Sequence, residues 1–426
     1  GMHSSQNEQD NRNYSKFAKI PTLEPSSPEE ARIFTKLGFD ISEQFDTPVI
    51  IRMSTRVCHT DGLVNLEEPV KEDITFSFQK NARKYVMIPG FARGRHKLQH
   101  EKIPKMNEYS EKFPYHEEII NSKTGIITSG VEFNYAFEAF PEYSFLKLGM
   151  VYPLPDNLIK EFADKMDKIY IVESLDPYIE KHIKSIGIEC EGKRYLPHYG
   201  ELSIETVRSR LGNDNPPEPE ELPVHAPARP PMLCKGCPHG RVYETIKELD
   251  AIVTGDIGCY TLGTLKPYES LDTCLCMGAS IGTASGFEKV KKLAGSNKGV
   301  FAVIGDSTFI HSGITPLIEA VYNKSPITLI IMDNYTTAMT GHQVNPGTGY
   351  TLRMDETERL DYVKLSEALG VKDIHKINIS KKGNHKEVFE KALNFPGVSV
   401  IVVSSPCVLN KLSAQIHKGD WGKEEQ

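Results

Sequence analysis

Apolar positions along the chain fall into two stretches of strand-like and helix-like period, separated by a proline-rich gap. In the first, GIITSG (125–130), FLKLGMVYPLP (145–155) and KIYIVES (168–174) read as strands. The segment from Gly130 to Phe140, LIKEFADKM (158–166) and YIEKHIKSIG (178–187) read as the intervening helices. In the second, AIVTGD (251–256), GVFAVIGD (299–306), PITLIIMDN (326–334), IHKINI (374–379) and VSVIVVSS (398–405) read as strands. Helices are predicted there over 238–249, 277–292, 313–323, 357–369 and 385–394. Near-continuous Val/Ile runs mark strands buried on both faces. Alternation of strand and helix marks a parallel sheet covered on both sides. The fold class is therefore α/β, with two parallel-sheet blocks.

The first sixty residues supply one α–β unit. Ser27 is placed as an N-cap, Pro28 lies in the first turn and Glu30 stands three on, a capping-box pattern that starts a helix running to Phe45. The strand PVIIRMS (48–54) follows. Residues 61–121 are charged and turn-rich and are predicted to link this unit to the next, with helices over 71–85 and 93–113. Residues 211–231 carry seven prolines and four acids, the composition of an extended interdomain linker. The predicted boundaries are 1–60, 61–121 (linker), 122–210, 211–231 (linker), 232–412 and a tail over 413–426.

Composition narrows the class. The chain has 426 residues, 39% hydrophobic and 25% charged, with a formal charge of −7. An acidic balance gives no footprint for nucleic acid or an anionic membrane surface. No stretch approaches the roughly 18 apolar residues of a membrane span. Eight cysteines without a secretory feature predict reduced thiols in a cytoplasm, available to metal or redox chemistry.

Two of the buried strands stop at polar residues. Gly305-Asp306 ends one apolar run and Asp333-Asn334 ends another. Asp306 and Asn334 are 28 positions apart, the length of one β–α–β crossover, so the two ends are expected to be neighbours. Ligands of open parallel sheets bind outside the carboxyl ends of the strands. A Mg²⁺ ion takes about six oxygens near 2.1 Å, usually shared between a few protein groups and phosphates. Asp306 offers a carboxylate, Asn334 an amide oxygen and Thr336 a backbone carbonyl. Gly305 and Ser307 allow the backbone close to a phosphate, and a helix starting near Ser312 is predicted to turn its positive end toward the same place. The alternative is that both polar pairs are strand-terminating turns.

The sequences GDSTFIHSGITPLIEAVYN and DNYTTAMTGHQVNPGTG, with RPPMLCKGCPH, GDIGCYTLG, CMGASIGTASG, RMSTRVCHT and GMVYPLP, resemble the large (α) subunit of indolepyruvate:ferredoxin oxidoreductase. That family belongs with the 2-oxoacid:ferredoxin oxidoreductases, and the resemblance covers nearly the whole chain. It implies a parallel-sheet thiamine-diphosphate-binding fold over 232–412, a transketolase C-terminal-like α/β domain over 122–210, and the end of a pyrimidine-binding domain over 1–60. By the family pattern Asp306, Asn334 and the Thr336 carbonyl hold Mg²⁺, and Gly278, Ser280, Ser307 and Thr308 lie near the diphosphate.

The cysteines fit the same resemblance. Cys234 and Cys237 form CKGC, which on its own is half of a zinc site or a pair of plain thiols. Cys274 and Cys276 have poor spacing for completing it. Cys259 and Cys407 each follow a strand and so belong to the ligand edge. The family pattern matches Cys234, Cys237, Cys259 and Cys407 to the thiolates of a [4Fe–4S] cluster. Cys274 and Cys276 are then packing residues, and Cys58 and Cys190 ordinary thiols.

His311 and His342 are weak candidates for protonating or orienting a substrate, against the plainer expectation that each bonds its own loop. His239, beside CKGCP, is a candidate neighbour of the cluster. The SSQNEQD stretch (4–10) is expected to face the active site, and Arg52 to pair a substrate carboxylate or a neighbouring acid. The function implied is oxidative decarboxylation of aryl pyruvates such as indolepyruvate to aryl-acetyl-CoA, with ferredoxin as electron acceptor. The implied partners are a smaller β subunit, ferredoxin, coenzyme A and the 2-oxoacid, in an oligomer. Family chains extend beyond both ends of this one, into a fuller pyrimidine domain and a ferredoxin-like domain. The alternatives are a truncated gene product and a split subunit whose pyrimidine domain comes from a separate chain, and the chain alone is expected to be inactive. The alternatives are a non-oxidative thiamine decarboxylase or ligase, and a non-catalytic scaffold.

Overall fold

A computed structural model describes residues 8–68, 79–216, 230–291, 293–381 and 383–421. The chain divides into two compact units, Gly1–Pro223 and Val224–Gln426. The division falls inside the proline-rich stretch, of which residues 217–229 lie outside the described ones.

The first unit holds strands β1 (Thr22–Leu23), β2 (Ile50–Ile51), β3 (Glu117–Ile119), β4 (Thr124–Ser129), β5 (Ser144–Leu148), β6 (Met150–Tyr152) and β7 (Lys168–Val172). One sheet has the order β3-β5-β4-β7, with β4 parallel to both β5 and β7 and β3 antiparallel to β5. A small sheet has the order β2-β1-β6. The apolar run 145–155, predicted as one strand, is cut into β5 and β6 at Gly149. A Cβ there would stand 2.6 Å from the Tyr115 carbonyl, so only glycine lets the chain pass from one sheet to the other.

The helix Pro28–Phe45 starts as its cap predicts: Ser27 Oγ accepts from Glu30 N at 3.2 Å. Glu30 reaches back one residue further than a capping box does, to Ser26 N at 2.8 Å. Phe34, Ile41 and Phe45 from this helix pack with Leu23, Met106, Phe113 and Met150. Met106 lies on the helix Pro89–Glu111, so part of the predicted linker 61–121 belongs to this core. Of the helix predicted over 71–85, residues 71–78 lie outside the described ones, and Ala82–Tyr85 forms a single turn. Arg52 pairs with Glu24 and donates to Asn11 Oδ1 at 2.9 Å, the neighbouring-acid alternative.

Among the described residues the second unit holds one sheet of six strands. They are β8 (Ile252–Gly255), β9 (Thr273–Cys274), β10 (Val300–Gly305), β11 (Thr328–Asp333), β12 (Asp373–Asn378) and β13 (Ser399–Ser404). Their order is β12-β13-β11-β10-β8-β9 and every pairing is parallel. The pleat divides the strand residues between two apolar layers. Val300, Ala302 and Ile304 of β10 join Ile281, Leu317 and Val400 on one face, while Phe301 and Val303 join Tyr243, Phe389 and Val403 on the other. Of the predicted tail 413–426, residues 413–421 belong to a helix, Lys411–Trp421, capped by Asn410, whose Oδ1 accepts from Leu412 N at 2.9 Å; residues 422–426 lie outside the described ones.

Candidate active site

Strands β10 and β11 are neighbours, with Gly305 opposite Met332. Asp306 and Asn334 therefore leave the same edge of the sheet side by side. Both line one pocket, together with Thr336, Cys259 and His239. The Asp306 carboxyl is buried, 4% exposed. Its Oδ1 accepts from Ser307 N at 2.6 Å, while Oδ2 has no partner. Burial, then the nearby Asp333 carboxyl, holds its pKa well above the usual carboxylate range, against the hydrogen bond from the Ser307 amide. A buried oxygen left unpaired in this way is costly. It is also the group a hard cation would satisfy.

The helix after β10 starts earlier than predicted. Helical backbone runs from Asp306 through a π-turn at Phe309–Gly313 into Ile314–Tyr322. Asp306 is its first residue, so the free amides of the helix start surround the pocket wall formed by Asp306, Ser307 and Thr308. Gly305 is required by space: a Cβ would stand 2.5 Å from the Tyr260 ring. The Tyr260 hydroxyl donates to Ile257 O at 2.8 Å and lies 3.4 Å from Thr308 Oγ1.

Gly278 and Ser280 form a turn next to the pocket rather than its lining, which takes in Met277 instead. Gly278 has φ +88°, and a Cβ there would meet Ser312 Cβ at 2.3 Å. The turn is held by a residue the sequence reading missed. Asp256, fully buried at the end of β8, accepts from Gly278 N (2.8 Å) and Ile257 N (2.8 Å) through Oδ1, and from Ser280 N (3.2 Å) through Oδ2. Its signal in the sequence was a Gly-Asp pair of the same form as Gly305-Asp306, at the end of the strand beside it.

After β11 the chain turns at Tyr335, which has φ +60°. Thr336 N donates to Asn334 Oδ1 at 3.2 Å, and the Asn334 carbonyl accepts from Cys407 N at 3.2 Å. The fourth candidate thiol thus belongs to a residue, on the loop after β13, that is tied to the loop carrying the candidate cation ligand. Cys234 and Cys237 share a turn closed by Cys237 N donating to Cys234 O at 3.0 Å, with Gly236 at φ +79°. Burial, with Cys234, Cys259 and Cys407 close by, pushes the Cys237 thiol up to about 11. Cys259 is raised by burial and then by Cys407 and Cys234. Among the described residues no three His, Cys, Asp or Glu side chains stand close enough to share a single metal ion. Cys274 Sγ donates to Asp256 O at 3.5 Å, Cys58 and Cys276 are exposed, and Cys190 is buried.

His311 is exposed and bonds Ser312 Oγ, and His342 N donates to Thr337 O at 3.0 Å; neither lines the pocket. His239 does. Burial brings its pKa down to about 4, so it is neutral, with Nε2 3.5 Å from Asn334 Nδ2. Residues 1–7 of the amide-rich start lie outside the described ones, and Glu8 Oε2 accepts from Gly200 N at 2.8 Å. No helix among the described residues is long and apolar enough to cross a membrane.

Comparison with known proteins bears on the same residues. The family described as thiamine pyrophosphate enzyme, C-terminal TPP binding domain, matches residues 256–403, from the end of β8 to β13. Indolepyruvate oxidoreductase subunit IorA of Archaeoglobus fulgidus is 38% identical over 434 residues, covering 96% of this chain and 69% of the relative. The IorA subunit of Pyrococcus abyssi is 36% identical over 452 residues, covering 96% and 70%. Among solved structures, the 2-oxoglutarate:ferredoxin oxidoreductase of Magnetococcus marinus is similar at 16% identity and a TM-score of 0.39, covering 45% of this chain and 70% of that one. The protein belongs to the family of indolepyruvate oxidoreductase subunit IorA, with a thiamine-diphosphate-binding domain in its second unit.

Proposed function

We propose that the second unit binds thiamine diphosphate through a Mg²⁺ ion at the β10–β11 edge, and that the chain is the α subunit of an enzyme oxidising aryl pyruvates to aryl-acetyl-CoA. The observation that carries the cation is the unpaired Asp306 Oδ2, buried beside Asn334 and Thr336. Asp306, the Asn334 side chain and the Thr336 carbonyl would hold the ion, a hard-oxygen set suited to Mg²⁺. Gly305, Ser307 and Thr308 would face the diphosphate from the helix start, with the Gly278–Ser280 turn set by Asp256 alongside.

We read the four thiols as ligands of a [4Fe–4S] cluster because Cys234, Cys237, Cys259 and Cys407 match the family pattern one by one. When bound, thiamine diphosphate supplies an electron sink for loss of CO₂ from a 2-oxoacid, and the cluster a one-electron path toward ferredoxin. The protein's own part is to hold and exclude. Neutral His239 and buried Asn334 give the pocket a polar wall without net charge, and Met277 and Met339 close its apolar side. A smaller β subunit, coenzyme A and ferredoxin complete the reaction in this reading, and residues 122–210 form the transketolase C-terminal-like domain.

The test is reconstitution. The chain, loaded anaerobically with iron and sulfide, should show a broad visible band and a reduced-state paramagnetic signal, both lost in Cys259→Ala. Combined with its partner subunit, it should reduce ferredoxin in the presence of an aryl pyruvate and coenzyme A. CO₂ release with no ferredoxin reduction would refute the oxidative reading.

A further inference from the structure

The helix Lys411–Trp421 grips the Asn334–Thr336 turn at both of its ends. At its start, Asn410 Nδ2 donates to Thr336 Oγ1 at 3.1 Å and Ser413 Oγ donates to Tyr335 O at 3.3 Å. At its end, Trp421 Nε1 donates to the Tyr335 hydroxyl at 3.2 Å, which donates to Asp420 Oδ2 at 3.0 Å. Arg359 covers the Tyr335 ring at 4.5 Å and pairs with both Asp420 (3.1 Å) and Asp333 (2.7 Å). Tyr335 is 1% exposed and holds φ +60°, a left-handed conformation that a non-glycine residue keeps only when its surroundings impose it. Its two neighbours line the pocket, while Tyr335, Asp420 and Trp421 do not.

We propose that this helix is a positioning element. Through Tyr335 it fixes the turn that presents Asn334 and Thr336, and so sets the affinity of the pocket for its divalent cation. The inference rests on the reading of the pocket given above. Asp420 and Trp421 act through Tyr335, and none of the three is a ligand. The strain in Tyr335 supplies the reason for the arrangement. Left to itself the turn would relax toward φ < 0 and swing Asn334 or Thr336 away from Asp306.

Mg²⁺ is titrated into the full chain with thiamine diphosphate present, read by calorimetry and by the emission of Trp421, the chain's only tryptophan. Tyr335→Phe keeps the ring and removes the hydroxyl links; Asp420→Asn removes the charge that Arg359 and Tyr335 share. Each should raise the Mg²⁺ concentration for half-saturation about tenfold, the scale of one lost buried hydrogen bond. Saturating Mg²⁺ should restore thiamine diphosphate binding, a rescue that a general loss of stability would not give. Amide exchange over 334–338 should quicken while β10 and β11 stay protected. Wild-type Mg²⁺ dependence and exchange in Tyr335→Phe would overturn the proposal alone. Absence of Mg²⁺-dependent binding in the wild type would overturn the pocket reading and this proposal with it.

Discussion

Both units have a sheet whose strands end in acidic residues, and at the edge of the second Asp306 keeps one carboxylate oxygen without a hydrogen-bond partner. In the first unit, the carboxyl ends of β4 and β7 meet residues 10–24 and 52. Arg12 pairs with Glu173 at 2.8 Å, Ser129 Oγ donates to Glu24 Oε2 at 2.9 Å, and Ile179 N and Glu180 N donate to Glu173. Ser174 bonds Glu132, and Arg52 bonds Glu24. In the second unit, Asp306 Oδ2 has nothing. A strand-end acid is therefore no sign of a ligand site by itself. What separates the two edges is whether the chain's own cations and amides satisfy the acid.

The comparison breaks most visibly on Arg12. It is 1% exposed, and Arg12→Ala would leave Glu173 and Asp10 buried without their cation. The expected loss is about 3–5 kcal/mol of stability in the first unit, read as an earlier denaturant transition with faster amide exchange in β4 and β7. A loss below about 1 kcal/mol would mean that edge is less tightly self-satisfied than the hydrogen bonds indicate.

Acid acts next. His116 is a buried neutral imidazole: Gly149 N donates to its Nδ1 at 3.2 Å and its Nε2 bonds Ser110 O at 3.0 Å. Burial lowers its pKa to about 4 from 6.5. Between those values the unfolded chain binds the extra proton, so stability is full above pH 6.5 and falls as pH drops toward 4. The loss from this group is about 3 kcal/mol across the window. Urea midpoints at a series of pH values should show that slope, and His116→Gln should flatten it.

Asp306→Asn sharpens the contrast from the other side. Replacing a buried carboxyl whose Oδ2 is unpaired should leave the free chain as stable as the wild type or more so, with about 2–4 °C gained in melting temperature per kcal/mol. A clear loss of stability would show that Oδ2 has a structural partner. Cys234→Ser should do least: the side chain is exposed, so stability should stay within about 0.5 kcal/mol. Iron uptake by the reconstituted chain should drop all the same.

The edge of the second unit was legible because β10 and β11 are unbroken apolar runs that change to Gly-Asp and Asp-Asn within one residue. Crossover spacing then made Asp306 and Asn334 neighbours, and the register of Gly305 on Met332 agrees. Asp256 was missed because its role depends on amides 22 and 24 positions later, which no local pattern ties to it. The helix Lys411–Trp421 was read as a tail because its apolar positions are few and Gly419 interrupts them; its cap, Asn410, was the available signal. The satisfied edge of the first unit was invisible for the same reason in stronger form, since Arg12 and Glu173 are 161 positions apart. Residues placed together by the fixed length of a β–α–β crossover can be read from sequence, and those whose partner lies in a turn or on a segment of no fixed spacing cannot.

The most direct measurement is calorimetric titration of thiamine diphosphate into the full chain, with and without Mg²⁺, for the wild type and Asp306→Asn. The account predicts heat of binding only for the wild type and only with the cation. Equal binding by both proteins, or binding that ignores Mg²⁺, would contradict it.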